Sequence, residues 1–157
     1  MSARISHKTR DRIGRIIRQY PRKEAAMLPV LHAVQREVGR ITEEDEQMIA
    51  DILSLPPVRV KEVVTFYSMF HQKKIGRHHI QVCSNLSCFL KGGDNILDHL
   101  QAKLGIGPGE TSEDGKFSLS LVECLGACEQ APCMMINDDY YGHLDPIKID
   151  EILKDLK

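Results

Sequence analysis

The sequence predicts an α+β protein, with an N-terminal helical bundle over residues 1–75 and an α/β domain built on a small mixed sheet over residues 76–157. Three observations predict it. Apolar residues recur at three- and four-residue steps as far as about residue 72. Past the charged connector KKIGRHH they alternate with polar neighbours instead. Gly and Pro fall where these rhythms start and stop.

Taken in order, Ile13, Ile16, Ile17 and Tyr20 share one helical face. Met27, Leu28, Leu31, Val34 and Val38 mark a second helix that Gly39 ends as the C′ residue. Thr42 with Asp45 is an N-cap signature ahead of Met48, Ile49, Ile52 and Leu53. Pro56 and Pro57 stop that helix and suit the first turn of another. There Val60, Val63, Val64, Tyr67 and Phe70 form one stripe, whose spacing favours a helix although its β-branched content would suit a strand.

Ile80 and Val82 mark a strand that runs into Cys83, with His78 and His79 just before it. Leu97, Leu100 and Leu104 mark a helix ending at Gly105, and IGPGETSEDGK reads as loop. Phe117, Leu119 and Leu121 alternate as a second strand that delivers Cys124 just past its end. Residues 134–136 and 140–144 read as two short strands around a turn at Asn137, Asp138 and Asp139, with His143 in the later strand. Asp145 and Pro146 cap a terminal helix striped by Ile149, Ile152, Leu153 and Leu156.

Composition excludes several functions. No apolar run approaches the roughly 18 residues of a membrane span, so direct membrane insertion is not expected. No apolar segment precedes a small-residue cleavage site, so no secretory signal is expected. Residues 1–24 carry eight Lys and Arg, Arg4 among them, against Asp11 and Glu24, while the rest of the chain is acidic. Such a start resembles a transit peptide or a basic arm for nucleic acid or an acidic partner. The helical spacing of its isoleucines favours the solvated face of a helix, and no nucleic-acid partner is expected. GIGPGE follows a helix rather than a strand, so it is no dinucleotide fingerprint, and NAD must bind elsewhere. The seven histidines read as solvated or satisfied side chains.

The chemistry lies in two cysteine pairs, Cys83 and Cys88 in CSNLSC and Cys124 and Cys128 in CLGAC, separated by thirty-five residues. Both are expected just past strands, so two loops at one end of a sheet can bring four sulfurs together. Clustered thiols without a secretory signal point to metal or redox work rather than a disulfide framework. Neither gap is the two-residue gap usual in zinc knuckles and thioredoxin redox pairs. The spacing favours an iron–sulfur centre, in which a [2Fe–2S] cluster takes two thiolates per iron. Structural zinc in an interaction module, a redox-active dithiol and unrelated buried thiols are the competing readings. Gly126 and the Gly92-Gly93 pair would let backbone amides approach the sulfurs, or are ordinary loop glycines. Cys133 reads as a small core hydrophobe and not a ligand.

With these residues in hand, the chain resembles the 24 kDa-type subunit of NADH:quinone oxidoreductase, among the thioredoxin-like [2Fe–2S] ferredoxins. The resemblance rests on YPRKEAAMLPVLHAVQREVGRI, VVTFYSMF, CSNLSC and CLGACEQAP followed by Cys133 and MMINDDYYGHL, most of the chain from Tyr20 onward. It implies a helical region before a thioredoxin-like domain. It also implies one [2Fe–2S] cluster on Cys83, Cys88, Cys124 and Cys128. Cys133 departs from the commoner apolar residue and leaves that set intact. The implied partner is a flavoprotein subunit that binds FMN and NAD within a larger multisubunit oxidoreductase, where this chain carries single electrons and no complete active site. The expected location is cytoplasmic, or at the inner face of the cell membrane through the complex. The same module occurs in NAD-linked hydrogenases and formate dehydrogenases, some electron-bifurcating.

Overall fold

Capping and periodicity build the first half of the chain. In the computed structural model, which describes residues 5–156, Arg4 of the basic start lies outside the described residues. The chain divides into two compact units, Met1–Lys74 and Ile75–Lys157. In the first unit, helix α1 (His7–Ile17) is capped by Ser6, whose side chain accepts from the Thr9 amide at 3.3 Å. A short 3-10 turn, Lys23–Ala26, leads into α2 (Met27–Val38), which Gly39 ends at φ 80°. Helix α3 (Glu43–Leu53) opens with a capping box, the Thr42 amide donating to Asp45 Oδ2 at 2.8 Å. Pro57 starts α4 (Pro57–Phe66).

The helices bury Ile13, Val30, Leu31, Val34, Ile49, Leu53, Val60 and Val64 in one core. Each such side chain contributes about 1.5–3 kcal/mol, against about 1 kcal/mol for a cap. Packing therefore holds this unit, and caps set where its helices begin.

The stripe expected to run from Val60 to Phe70 in one helix does not. Helix α4 stops at Phe66, and Tyr67 is extended at φ −93°, ψ 112°. The residues beyond it are held by α2 instead. Gln35 donates to Met69 O at 2.8 Å and accepts from the His71 amide at 2.7 Å, and Phe70 packs its ring 5.0 Å from His32. Tyr67 and Phe70 reach apolar surroundings by this latch rather than by helical spacing.

The second unit is a four-stranded sheet in the order β2-β1-β3-β4, made of β1 (His78–Cys83), β2 (Phe117–Val122), β3 (Met134–Ile136) and β4 (Asp139–Tyr141). Strands β1 and β2 are parallel, with His78 beside Phe117 and Cys83 beside Val122; the other pairings are antiparallel. Helices α5 (Leu86–Leu90) and α6 (Gly93–Leu104) make the crossover that a parallel pair requires. Helix α7 (Pro146–Asp155) is capped by Asp145, which accepts from the Lys148 amide at 2.8 Å. Ile80, Val82, Ile96, Leu100, Leu119, Met134, Ile136 and Ile149 form the core.

The α+β expectation holds, and details move. His78 and His79 open β1 rather than precede it, and buried His79 bonds Ser120 Oγ at 2.8 Å. Asp139 pairs with Ile136, so the turn is Asn137 and Asp138 alone, with Asn137 at φ 56°. The strand expected over residues 140–144 is β4, which ends at Tyr141. His143 lies outside it, at φ 50°.

Candidate metal centre

Because β1 and β2 are parallel neighbours, their C-terminal ends lie at the same end of the sheet. Cys83 is the last residue of β1. The chain then turns through Ser84, whose amide and hydroxyl both donate to Val122 O, at 2.9 and 3.1 Å, tying this loop to the end of β2. Asn85 accepts from the Leu86 amide at 2.9 Å and starts α5, which carries Cys88. Helix α5 was not foreseen. Five residues are too few to show a period, and the Asn85 cap was its only local signal. Gly93 is required behind it, since a Cβ there would lie 2.9 Å from the Cys88 carbonyl oxygen.

The second loop leaves β2 at Val122 and presents Cys124 and Cys128, both exposed. Gly126, at φ 70°, donates its amide to Cys124 Sγ at 3.3 Å. Of the glycines expected to bring amides near sulfur, Gly126 does so, whereas Gly93 makes room for the backbone of Cys88. Tyr140 on β4 braces this loop, its hydroxyl donating to Leu125 O at 3.1 Å. Cys128 begins a 3-10 turn, Cys128–Gln130.

The two loops meet. Cys83, Cys88 and Ala127 are buried together, with Leu125 packed against them. Cys133 joins them, 1% exposed. The Cys83 amide donates to Cys133 O at 3.2 Å, following the register that sets Val82 opposite Met134. Cys133 Sγ lies 3.7 Å from Cys88 Sγ, and the sulfurs of Cys83, Cys88 and Cys133 all lie within 4.8 Å of one another. Its burial fits the core role read from sequence. Its contact with both other thiols was not foreseen, because it depends on a long-range strand pairing.

Burial pushes the Cys83 thiol up, but the amides of Asn85 and Leu125 and the thiols of Cys88 and Cys133 outweigh it, and the net direction is down. Cys88 is pushed up, by burial first. Cys133 is pushed up to about 12, by burial and then by Cys88. Within the buried trio, only Cys83 is shifted downward.

For the [2Fe–2S] cluster expected from sequence, the structure gathers the sulfurs of Cys83 and Cys88, together with Cys133, within 4.8 Å of one another, and Cys124 and Cys128 are not in that group. Such a cluster takes four thiolates and nothing else from the protein. The two loops supply a buried pair and an exposed pair, with peptide amides aimed at Cys83 and Cys124.

The family described as thioredoxin-like [2Fe–2S] ferredoxin matches residues 13–157. The chain belongs to this family. Among its relatives is an E-type NADH-quinone oxidoreductase subunit from Rhizobium meliloti, 44% identical over 148 residues, covering 94% of this chain and 88% of the relative. The E-type NADH-quinone oxidoreductase subunit from Rickettsia conorii is 44% identical over 145 residues, covering 90% of this chain and 87% of the relative. The resemblance to the 24 kDa-type subunits is thus borne out. A solved NAD+-reducing [NiFe]-hydrogenase superposes with a TM-score of 0.72 at 25% identity over 83% of this chain. This thioredoxin-like ferredoxin spans about a fifth of that hydrogenase chain, 22% of its length. No helix among the described residues is long and apolar enough to cross a membrane.

Proposed function

We propose that Cys83, Cys88, Cys124 and Cys128 hold one [2Fe–2S] cluster, and that the chain is the electron-carrying subunit of an NADH:quinone oxidoreductase-type complex. The observation that carries this is the meeting of the two cysteine loops at one end of a parallel strand pair, with Leu125 and Ala127 of the second packed against Cys83 and Cys88 of the first. When bound, the cluster supplies one-electron transfer.

The chain's own groups prepare for the negative charge of four thiolates. Amides of Asn85 and Leu125 face Cys83, and the amide of Gly126 faces Cys124. Such donors favour added electrons, and burial opposes them. The exposed pair, Cys124 and Cys128, gives the site an open side. A partner's cofactor can approach there. Exposed Leu86, Phe89 and Leu90 on α5 offer apolar surface beside Cys88 for that partner. On this reading the partner is a flavoprotein holding FMN and oxidising NADH. Residues 76–157 are the cluster-bearing domain, and residues 1–75 a helical region before it. The complex sits in the cytoplasm or against the inner face of the cell membrane.

Anaerobic purification tests the cluster. Two irons, two sulfides and a spin-half EPR signal on reduction are expected, and Ala at any of the four cysteines should bring iron below about a tenth of that. A colourless chain with one zinc would sink the reading in favour of a zinc-stabilised module. The hydrogenase likeness supports a second assignment, the same role in an NAD-linked hydrogenase. Affinity capture from the native host separates the two by whether the flavin-containing partner comes with quinone-reducing subunits or with a nickel–iron subunit.

A further inference from the structure

Cys133 adds a third buried sulfur where a pair would complete half of a [2Fe–2S] site. We propose that the metal-free chain has an alternative metal site, Cys83, Cys88 and Cys133, that binds one Cu(I) ion. Metal–thiolate bonds of about 2.3 Å set the sulfurs of a trigonal MS₃ unit about 4.0 Å apart. Those of Cys88 and Cys133 are 3.7 Å apart, and all three lie within 4.8 Å of one another. The ion needs only small side-chain shifts.

Burial and donor count select the ion. Cys83, Cys88 and Cys133 are 3%, 1% and 1% exposed, so water is excluded as a ligand. Among the described residues no fourth Cys, His, Asp or Glu joins the trio. Zinc in structural sites takes four ligands in a tetrahedron, whereas a soft monovalent ion is satisfied by thiolates alone and in lower number. Cys124 and Cys128 have no part in this site.

The Cu(I) site overlaps the proposed cluster site, with Cys133 in place of Cys124 and Cys128, and its existence does not depend on that reading. One consequence does rest on that reading: the sites share Cys83 and Cys88, so Cu(I) occupancy blocks cluster assembly.

The test uses the full chain, metal-free, reduced and anaerobic, titrated with Cu(I) against a chromogenic Cu(I) chelator. One tightly held Cu(I) per chain is expected, with X-ray absorption showing three sulfurs at about 2.3 Å. Cys133→Ser and Cys133→Ala should each weaken binding about a hundredfold or more, beyond the 10–100-fold that losing a partner behind a ligand costs. Cys124→Ser and Cys128→Ser should leave it unchanged. Two sulfurs at the copper, equal binding by the Cys133 variants, or weakening by the Cys124 and Cys128 variants would each overturn the proposal. The absorption measurement on the unaltered chain stands even if a variant misfolds. Iron and sulfide loading of the same variants reads the cluster separately. Cys133→Ser should load both, and Cys124→Ser should load neither while still binding Cu(I). Loss of iron in Cys133→Ser would count against the four-ligand cluster and leave the copper site standing.

Discussion

The loop after β1 and the loop after β2 each bring two cysteines to the same end of the sheet, but by opposite means. The first is built of regular structure: Cys83 closes a strand, Cys88 sits in a helix, and Ser84 is bonded twice to Val122 O. The second is largely irregular, and both its cysteines are exposed. Burial is thus uneven across the proposed donor set. The difference teaches a division of labour in which one loop fixes where sulfur stands and the other keeps a side open. A site with four buried thiols would hold metal in the dark; one with four exposed thiols would not be shaped before metal arrived.

Reagent access is the widest expected gap between the loops. In the metal-free reduced chain, Cys124 and Cys128 should be alkylated about 100-fold faster than Cys83, Cys88 and Cys133, whose reaction awaits local opening. Timed peptide mapping by mass spectrometry reads each thiol, and equal rates would erase the contrast. Next comes the glycine in each loop. Gly93→Ala drives a Cβ to 2.9 Å from the Cys88 carbonyl and should lower stability by about 1–3 kcal/mol. Gly126→Ala meets nothing within 4 Å and bears only its φ of 70°, a strain of about 1 kcal/mol. Denaturant melts of both variants sharpen the comparison, which breaks if the Gly126 change is the more damaging.

A smaller effect probes the brace on the open loop. Tyr140→Phe removes the bond to Leu125 O and should lower stability by about 0.5–1 kcal/mol. It should also speed alkylation of Cys124 while leaving Cys88 unchanged. The smallest effect lies outside both loops. Lys103 and His99 hold the Asp150 carboxylate below its usual range. A lowered folded value means that its contribution is present above about pH 4 and is lost as pH falls through the folded value. Asp150→Asn should flatten that acid slope in pH-dependent melts and leave thiol reactivity in both loops as it was.

Local chemistry made much of this legible. Gly39, the Thr42 and Asp45 box, Pro57, Gly105 and the Asp145-Pro146 cap each mark a helix end where the structure has one. The two cysteine pairs were legible too, because their spacing is local and each follows an alternating run. What stayed hidden depends on partners distant in sequence. The end of α4 is decided by the latch from Gln35 to Met69 and His71. The place of Cys133 is decided by antiparallel pairing of β3 with β1 across some fifty residues. Helix α5 is hidden for another reason, being shorter than two helical turns.

The parallel pairing of β1 with β2 also dictates an order of events during synthesis. A ribosome that has delivered β1 and α5 has released Cys83 and Cys88, yet thirty-five further residues separate Cys88 from Cys124. Those residues include α6 and β2, whose docking beside β1 brings the second loop alongside the first. Both pairs can therefore converge only after Cys128 has been made, so on the proposed cluster reading metal delivery follows the folding of this half of the chain. A nascent chain stalled before Cys124 would carry Cys83 and Cys88 without Leu125, Ala127 and Cys133, the residues packed around them in the folded chain.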